Sequence, residues 1–150
     1  MGWDVFGNVE KLGKKVVVVG GGMTACELSI YAAETGREVT VLGRNKFLAP
    51  NAVLSQRIHV QDWMKLNNVV SYTGTAVTRI TEEGVYAQTP EGEKFFPADS
   101  VIVSIGSESC VEERDKFRNI AFDVINVGDC YKAADMVNAT DTGNAAALSL

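Results

Sequence analysis

The stretch Val16-Val17-Val18-Val19-Gly20-Gly21-Gly22-Met23-Thr24-Ala25 decides the fold. An apolar strand enters a glycine turn and a helix leaves it. The residues fit the pattern G-x-G-x-x-A at Gly20, Gly22 and Ala25. In such a turn Gly20 permits the tight bend and Gly22 lets backbone approach a pyrophosphate. Ala25 lets the helix pack closely on the strand, and the helix N-terminus aims free N–H groups at the phosphates. A ligand-free tight turn is the plain alternative for a glycine pattern alone; the strand before it and the helix after it favour the nucleotide.

Reading outward, the helix is predicted over 23–34, with Ala25, Leu28 and Ala32 on one face and Gly36 as its stop. Val39-Thr40-Val41-Leu42 returns as a second strand, completing a βαβ unit. Pro50 then precedes a helix predicted over 52–66, carrying Val53, Ile58, Val60 and Met64. Val69-Val70-Ser71-Tyr72 reads as a third parallel strand. Three short segments follow, 75–81, 85–89 and 94–96, divided by Glu83-Gly84 and Pro90-Glu91-Gly92. The fold class is therefore α/β: a Rossmann-like parallel sheet in which a three-stranded antiparallel meander replaces one crossover. A strand over 99–105 ends at Gly106, a charged loop covers 108–119, and Val124-Ile125-Asn126-Val127 leads into Gly128-Asp129 and an alanine-rich helix. That helix reaches 150 without a cap, so the chain reads as a piece of a longer protein.

The composition narrows the function. Of the 150 residues, 46% are hydrophobic and 22% charged, as in an ordinary globule, and the net charge of −5 argues against nucleic-acid or acidic-membrane partners. No apolar run approaches the ~20 residues of a membrane span, and no signal-peptide pattern opens the chain. Cys26, Cys110 and Cys130 form no C-x-x-C pair and read as thiols of a cytoplasmic protein. His59, the only histidine, lies in a predicted helix with no metal-ligand partner nearby, and no metal site is expected.

With these elements placed, the chain resembles the pyridine-nucleotide domain of two-dinucleotide flavoprotein oxidoreductases. The likeness is nearest to the C-terminal part of the 2-enoate reductase and 2,4-dienoyl-CoA reductase group of NADH:flavin oxidoreductases. It is carried by 14–25 with Glu27, by 36–42, by Ala98-Asp99-Ser100-Val101-Ile102-Val103-Ser104-Ile105-Gly106, and by Val127-Gly128-Asp129-Cys130. The resemblance implies a lead-in over 1–13, an NAD(P)-binding domain over 14–121, and a returning FAD-domain segment over 122–150. That last segment would comprise a strand, the Gly-Asp motif and a truncated helix.

The resemblance also implies roles. Gly20, Gly21, Gly22, Met23, Thr24 and Ala25 would hold the pyrophosphate of the pyridine nucleotide. Glu27 would lie near the nicotinamide end, or is simply a solvated residue favoured by the helix dipole. Ile105 and Gly106 would pass the cofactor at the carboxyl edge of the sheet, although Ser107-Glu108-Ser109-Cys110 departs from the family's usual continuation. Asp129 would bind the FAD ribityl chain, or caps a local element. FAD would belong to the intact parent, whose glycine-rich adenine site is absent from this segment. FMN and an iron–sulfur cluster would belong to a barrel domain outside it.

Cofactor choice turns on Gly43-Arg44-Asn45-Lys46. NAD sites usually carry a carboxylate at the end of the second strand, bonded to the ribose 2′-OH. Gly43 supplies none, while Arg44 and Lys46 could receive a 2′-phosphate, so the reading leans to NADP over NAD. A basic surface loop is the alternative. The expected function is a module that positions nicotinamide for hydride transfer to FAD, with no catalytic side chain of its own and inactive in isolation. The parent would be an enoate- or dienoyl-CoA-reductase-like enzyme. A noncatalytic ADP-type module, or the same domain of a disulfide or ferredoxin-type reductase, stays open.

Overall fold

Four valines set the centre of the sheet. In the computed structural model, which describes residues 1–118, 120–121 and 123–149, β1 (Lys15–Val19) is buried from Val16 onward. It pairs in parallel with β2 (Glu38–Leu42) on one side and β7 (Ser100–Val103) on the other. β3 (Val70–Tyr72) lies outside β2, giving the order β3-β2-β1-β7. Successive side chains of a strand point to opposite faces. Val16 and Val18 thus join Val39, Val41 and Ile102 in one apolar cluster, while Val17 and Val19 join Leu42 in another. Each fully buried valine contributes roughly 1.5–3 kcal/mol of transfer free energy.

The two faces are covered differently. On the first lie α1 (Met23–Glu34) and α2 (Leu54–Leu66). Small residues of α1, Ala25, Cys26, Ser29 and Ala32, are fully buried, and their size permits close approach of helix to sheet. The helix stops as expected, the Gly36 N–H bonding the Ala33 carbonyl at 2.8 Å. On the second face lies the antiparallel meander β4 (Ala76–Thr81), β5 (Gly84–Thr89) and β6 (Gly92–Pro97). Its Val85, Ala87 and Phe96 complete the cluster begun by Val17 and Val19. The meander thus takes the place of a crossover helix, as the turn signals indicate.

Two expectations need correction in this part, the start of the second helix and the end of the strand before Gly106. The second helix starts at Leu54 rather than 52, because the chain first turns around Pro50. Ala49 there has φ 48°, and the Ala52 N–H bonds its carbonyl at 3.1 Å. Val53 and Ile58 are exposed at 62% and 52%, since α2 packs on α1 and buries only Val60 and Met64. β7 ends at Val103, short of the expected 105, because the chain bends away from the sheet as it passes Gly20. Before β7, Asp99 fastens it to β1: its carboxylate accepts from the Lys15 N–H at 2.7 Å, and its own N–H donates to the Lys15 carbonyl at 2.8 Å. The lead-in forms two short 3₁₀ turns, Gly2–Val5 and Val9–Lys11; Val5 enters the first cluster and Phe6 stacks on Tyr31 of α1.

The chain divides into two compact units, Met1–Gly106, just described, and Ser107–Leu150. In the second, the expected charged loop contains a short helix, α3 (Val111–Asp115), stabilised where Asp115 accepts from Arg114 and Arg118 at 2.9 and 3.0 Å. Among the described residues, 124–127 has no ladder partner and forms no strand, contrary to the sequence reading. A strand needs a neighbouring strand to satisfy its backbone, and none is present for this stretch. A 3₁₀ turn, Gly128–Cys130, is tied to α4 (Met136–Leu148) by the Gly128 N–H on Thr142 Oγ1 at 2.9 Å. Asp135 caps α4, accepting from the Asn138 N–H at 2.9 Å; that bond holds its carboxyl below the ordinary range. Residues 119, 122 and 150, on which the loop end, one domain boundary and the last helical residue fall, lie outside the described residues.

Candidate functional site

Register brings the site together. Val19 is the partner of both Leu42 and Val103, so β1, β2 and β7 deliver Gly20, Gly43 and Ser104 to one edge of the sheet. β2 lies to one side of β1 and β7 to the other. β1 therefore stands where the strand order reverses, the place at which open α/β sheets present their ligand crevice.

The glycines of the turn do different work. Gly20 has φ 132°, and a Cβ there would stand 2.0 Å from the Ser104 carbonyl oxygen, so only glycine fits between β1 and the end of β7. A Cβ on Gly22 would meet nothing within 4 Å, and its backbone, φ −76° and ψ 176°, suits any residue. Local packing therefore does not demand glycine at 22. An open cradle beside backbone N–H groups does, if a phosphate is to approach them. Gly22 is the N-cap of α1, provides no side-chain cap, and the first turn holds no acidic residue. The first backbone bond of the helix runs from the Cys26 N–H to the Gly22 carbonyl at 3.1 Å, which leaves the N–H groups of Met23, Thr24 and Ala25 without helical partners. The site thus fits a pyrophosphate: positive dipole end, free donors and room.

Gly21 and Gly43 meet across the turn. A Cβ on Gly21 would lie 3.2 Å from the Gly43 Cα, and a Cβ on Gly43 would lie 3.0 Å from Leu48 Cδ2. Leu48, almost wholly buried, thus fills the space a longer side chain at 43 would enter. The Ala49 N–H donates to the Gly21 carbonyl at 2.7 Å and locks the loop after β2 to the glycine turn. Arg44 and Lys46 are exposed on this loop and form no ion pair among the described residues. Lys46 Nζ stands 5.6 Å from the centre of the Phe47 ring. Arg57 of α2 stands at the same 5.6 Å, a neighbour that sequence reading missed because only the fold returns α2 to this loop.

The remaining candidates are placed as follows. Ile105 is 70% exposed and Gly106 has open space around it, both at the edge where Gly20 lies. Glu27 is exposed on α1 beside the buried Cys26. Burial, with a contribution from Glu27, pushes the Cys26 thiol up to about 11, so it stays a neutral packing group. His59 packs against Trp63 on α2, and no cluster of potential metal ligands occurs among the described residues. Asp129 belongs to the second unit, where its carboxylate accepts from the Ala134 N–H at 3.3 Å. With Cys110, Phe117, Val124, Val127 and Cys130 it lines a cavity of about 420 Å³ within that unit.

The profile of the pyridine nucleotide-disulphide oxidoreductases matches residues 5–124. The chain belongs to this family. Among its relatives, a cinnamate reductase of Clostridium sporogenes is 30% identical over 142 residues, which cover 91% of this chain and 21% of that protein. A bilirubin reductase of Mediterraneibacter gnavus is 31% identical over 146 residues, covering 97% and 23%. The solved structure of a 2-naphthoyl-CoA reductase with 2-naphthoyl-CoA superposes with a TM-score of 0.85 at 29% identity, over 94% of this chain and 22% of that one. The family member described here therefore spans between a fifth and a quarter of the length of these relatives, and its identity to them over nearly all of its own residues bears out the likeness to the enoate-reductase group. No helix among the described residues is long and apolar enough to cross a membrane.

Proposed function

We propose that this chain is the pyridine-nucleotide module of a larger flavin-dependent reductase. The single observation that carries the reading is the open cradle at Gly22 beside the unpartnered N–H groups of α1, at the strand-order reversal. Residues 20–25 hold the pyrophosphate. Ile105 and Gly106 flank the dinucleotide along the edge of the sheet, and Glu27 lies towards its nicotinamide end. Arg44 and Lys46 receive a 2′-phosphate, which favours NADP; the space where an NAD-type carboxylate would sit is taken by Leu48.

A nicotinamide held in this way would supply a hydride to FAD, and no side chain here would be required as acid or base. The protein's part is orientation and charge. Residues 14–121 form the nucleotide domain, and 122–150 form one segment of the FAD domain, with Asp129 on the ribityl chain. The remainder of the FAD domain, and a barrel with FMN and an iron–sulfur cluster, belong to the rest of the parent, a cytoplasmic reductase of activated carbon–carbon double bonds. The names of the two curated relatives, both reductases, support that class.

Calorimetric titration of the chain with NADPH, NADH and ADP tests the reading. Saturable binding of the dinucleotides supports it. Tight ADP binding with no gain from the nicotinamide half would favour the noncatalytic alternative, and no binding of any of the three would refute the site.

A further inference from the structure

The loop after β2 carries more charge than its own sequence discloses. Lys46 and Arg57 both lie 5.6 Å from the centre of the Phe47 ring, although eleven positions of chain and a turn around Pro50 separate them. Neither forms an ion pair or a side-chain hydrogen bond among the described residues, in a chain whose net charge is −5. Arg57 also lies close to the N-terminal end of α2, where the helix dipole disfavours a cation, and no acidic residue in that first turn offsets it. Phe47, more than half exposed, gains little by burial. Two cations gathered on one ring without a counter-ion form a receptor for an anion. Its place is fixed, since Leu48 packs on Gly21 and Gly43, and the Ala49 N–H bonds the Gly21 carbonyl at 2.7 Å.

We propose that Arg57 is a specificity-determining residue of the nucleotide site, acting with Lys46 on a phosphate monoester at the adenosine ribose, and that Phe47 is the positioning residue that holds both cations there. The proposal rests on the nucleotide reading above and adds to it a residue from a different element. Guanidinium offers a planar pair of donors to phosphate that lysine lacks, so the contribution of Arg57 is directional as well as ionic.

NADPH and NADH differ only by that phosphate, and their affinities for the full chain, measured by calorimetry, form the test. Arg57→Gln should weaken NADPH about tenfold, the value of one charge-assisted hydrogen bond at the lower end of its range, and leave NADH unchanged. Phe47→Leu should shift NADPH in the same direction by a smaller factor, and Arg57→Lys should restore part of the loss. Thermal melts confirm that each variant is folded; Arg57→Lys and Phe47→Leu serve if Arg57→Gln is not. An NADPH-to-NADH ratio unchanged in Arg57→Gln overturns the proposal while the nucleotide reading stands. An equal loss for both ligands also overturns it, placing Arg57 on the pyrophosphate. A wild-type chain that binds neither ligand removes the underlying reading together with this one.

Discussion

Two glycines two positions apart should respond to substitution in opposite ways. Gly20→Ala puts a methyl 2.0 Å from the Ser104 carbonyl oxygen, roughly 1.5 Å inside ordinary contact, on a backbone at φ 132°. Holding or leaving that conformation costs about 1–3 kcal/mol, and pushing the end of β7 aside adds about 1–3 kcal/mol, so a loss of about 2–6 kcal/mol is expected. For a domain of this size that lowers the melting temperature by on the order of 10 °C. Gly22→Val meets no atom within 4 Å of its Cβ at an ordinary φ of −76°. Its poor N-capping costs about 1 kcal/mol, and the stiffer unfolded chain returns about 0.4–1 kcal/mol, so stability should hardly move. Its side chain would instead fill the phosphate cradle and separate the ligand from two backbone donors. At about 1.5–3 kcal/mol each, their loss weakens dinucleotide binding at least about 100-fold. Melting followed by circular dichroism and titration calorimetry read the two effects separately. A Gly22→Val chain that binds as tightly as wild type, or a Gly20→Ala chain that melts with it, would refute the reasoning.

Other outcomes follow from the same geometry. Arg44→Ala should reduce NADPH affinity more than NADH affinity, and added salt should narrow the difference; equal effects would make Arg44 a bystander. The Cys26 thiol, raised from 9.0 to about 11, keeps its proton in the folded chain where the unfolded chain has lost it. Between those values the unfolded state binds fewer protons, so stability should fall as pH rises above 9, by at most about 2–3 kcal/mol, and Cys26→Ser should flatten that slope in pH-dependent denaturation. Native alkylation should modify Cys110 and Cys130 but not Cys26, as counted by mass spectrometry. The purified chain should be colourless and should not oxidise NAD(P)H at an enzymatic rate; a yellow preparation with stoichiometric FAD would contradict the division of the flavin site.

Much of the fold was legible because its centre is built from local, periodic signals. The valines of β1, the small residues of α1 and the turn glycines of the meander each declare themselves within a few positions. What escaped was non-local. Ile58 is apolar in a helix, but which face of α2 is covered depends on the α1 helix packed against it. Strand character at 124–127 depends on a neighbour that the sequence of the stretch does not contain. Of the proposed site, the glycine turn and Arg44 could be offered as candidates from the chain alone. Leu48 and Arg57 could not, because an ordinary leucine and an ordinary helical arginine gain meaning only when the loop folds back on Gly21 and Phe47.

The bond from Ala49 to Gly21 and the seating of Leu48 between Gly21 and Gly43 leave residues 44–47 as a short arch between two fixed posts. Such an arch is exchangeable. Its four residues can drift through mutation, or be replaced by grafting, without disturbing the posts, so the preference for one nucleotide over another can evolve independently of the fold. The posts themselves carry the opposite liability. Leu48→Ala would open a cavity costing about 2–5 kcal/mol and release both ends of the nucleotide seat together.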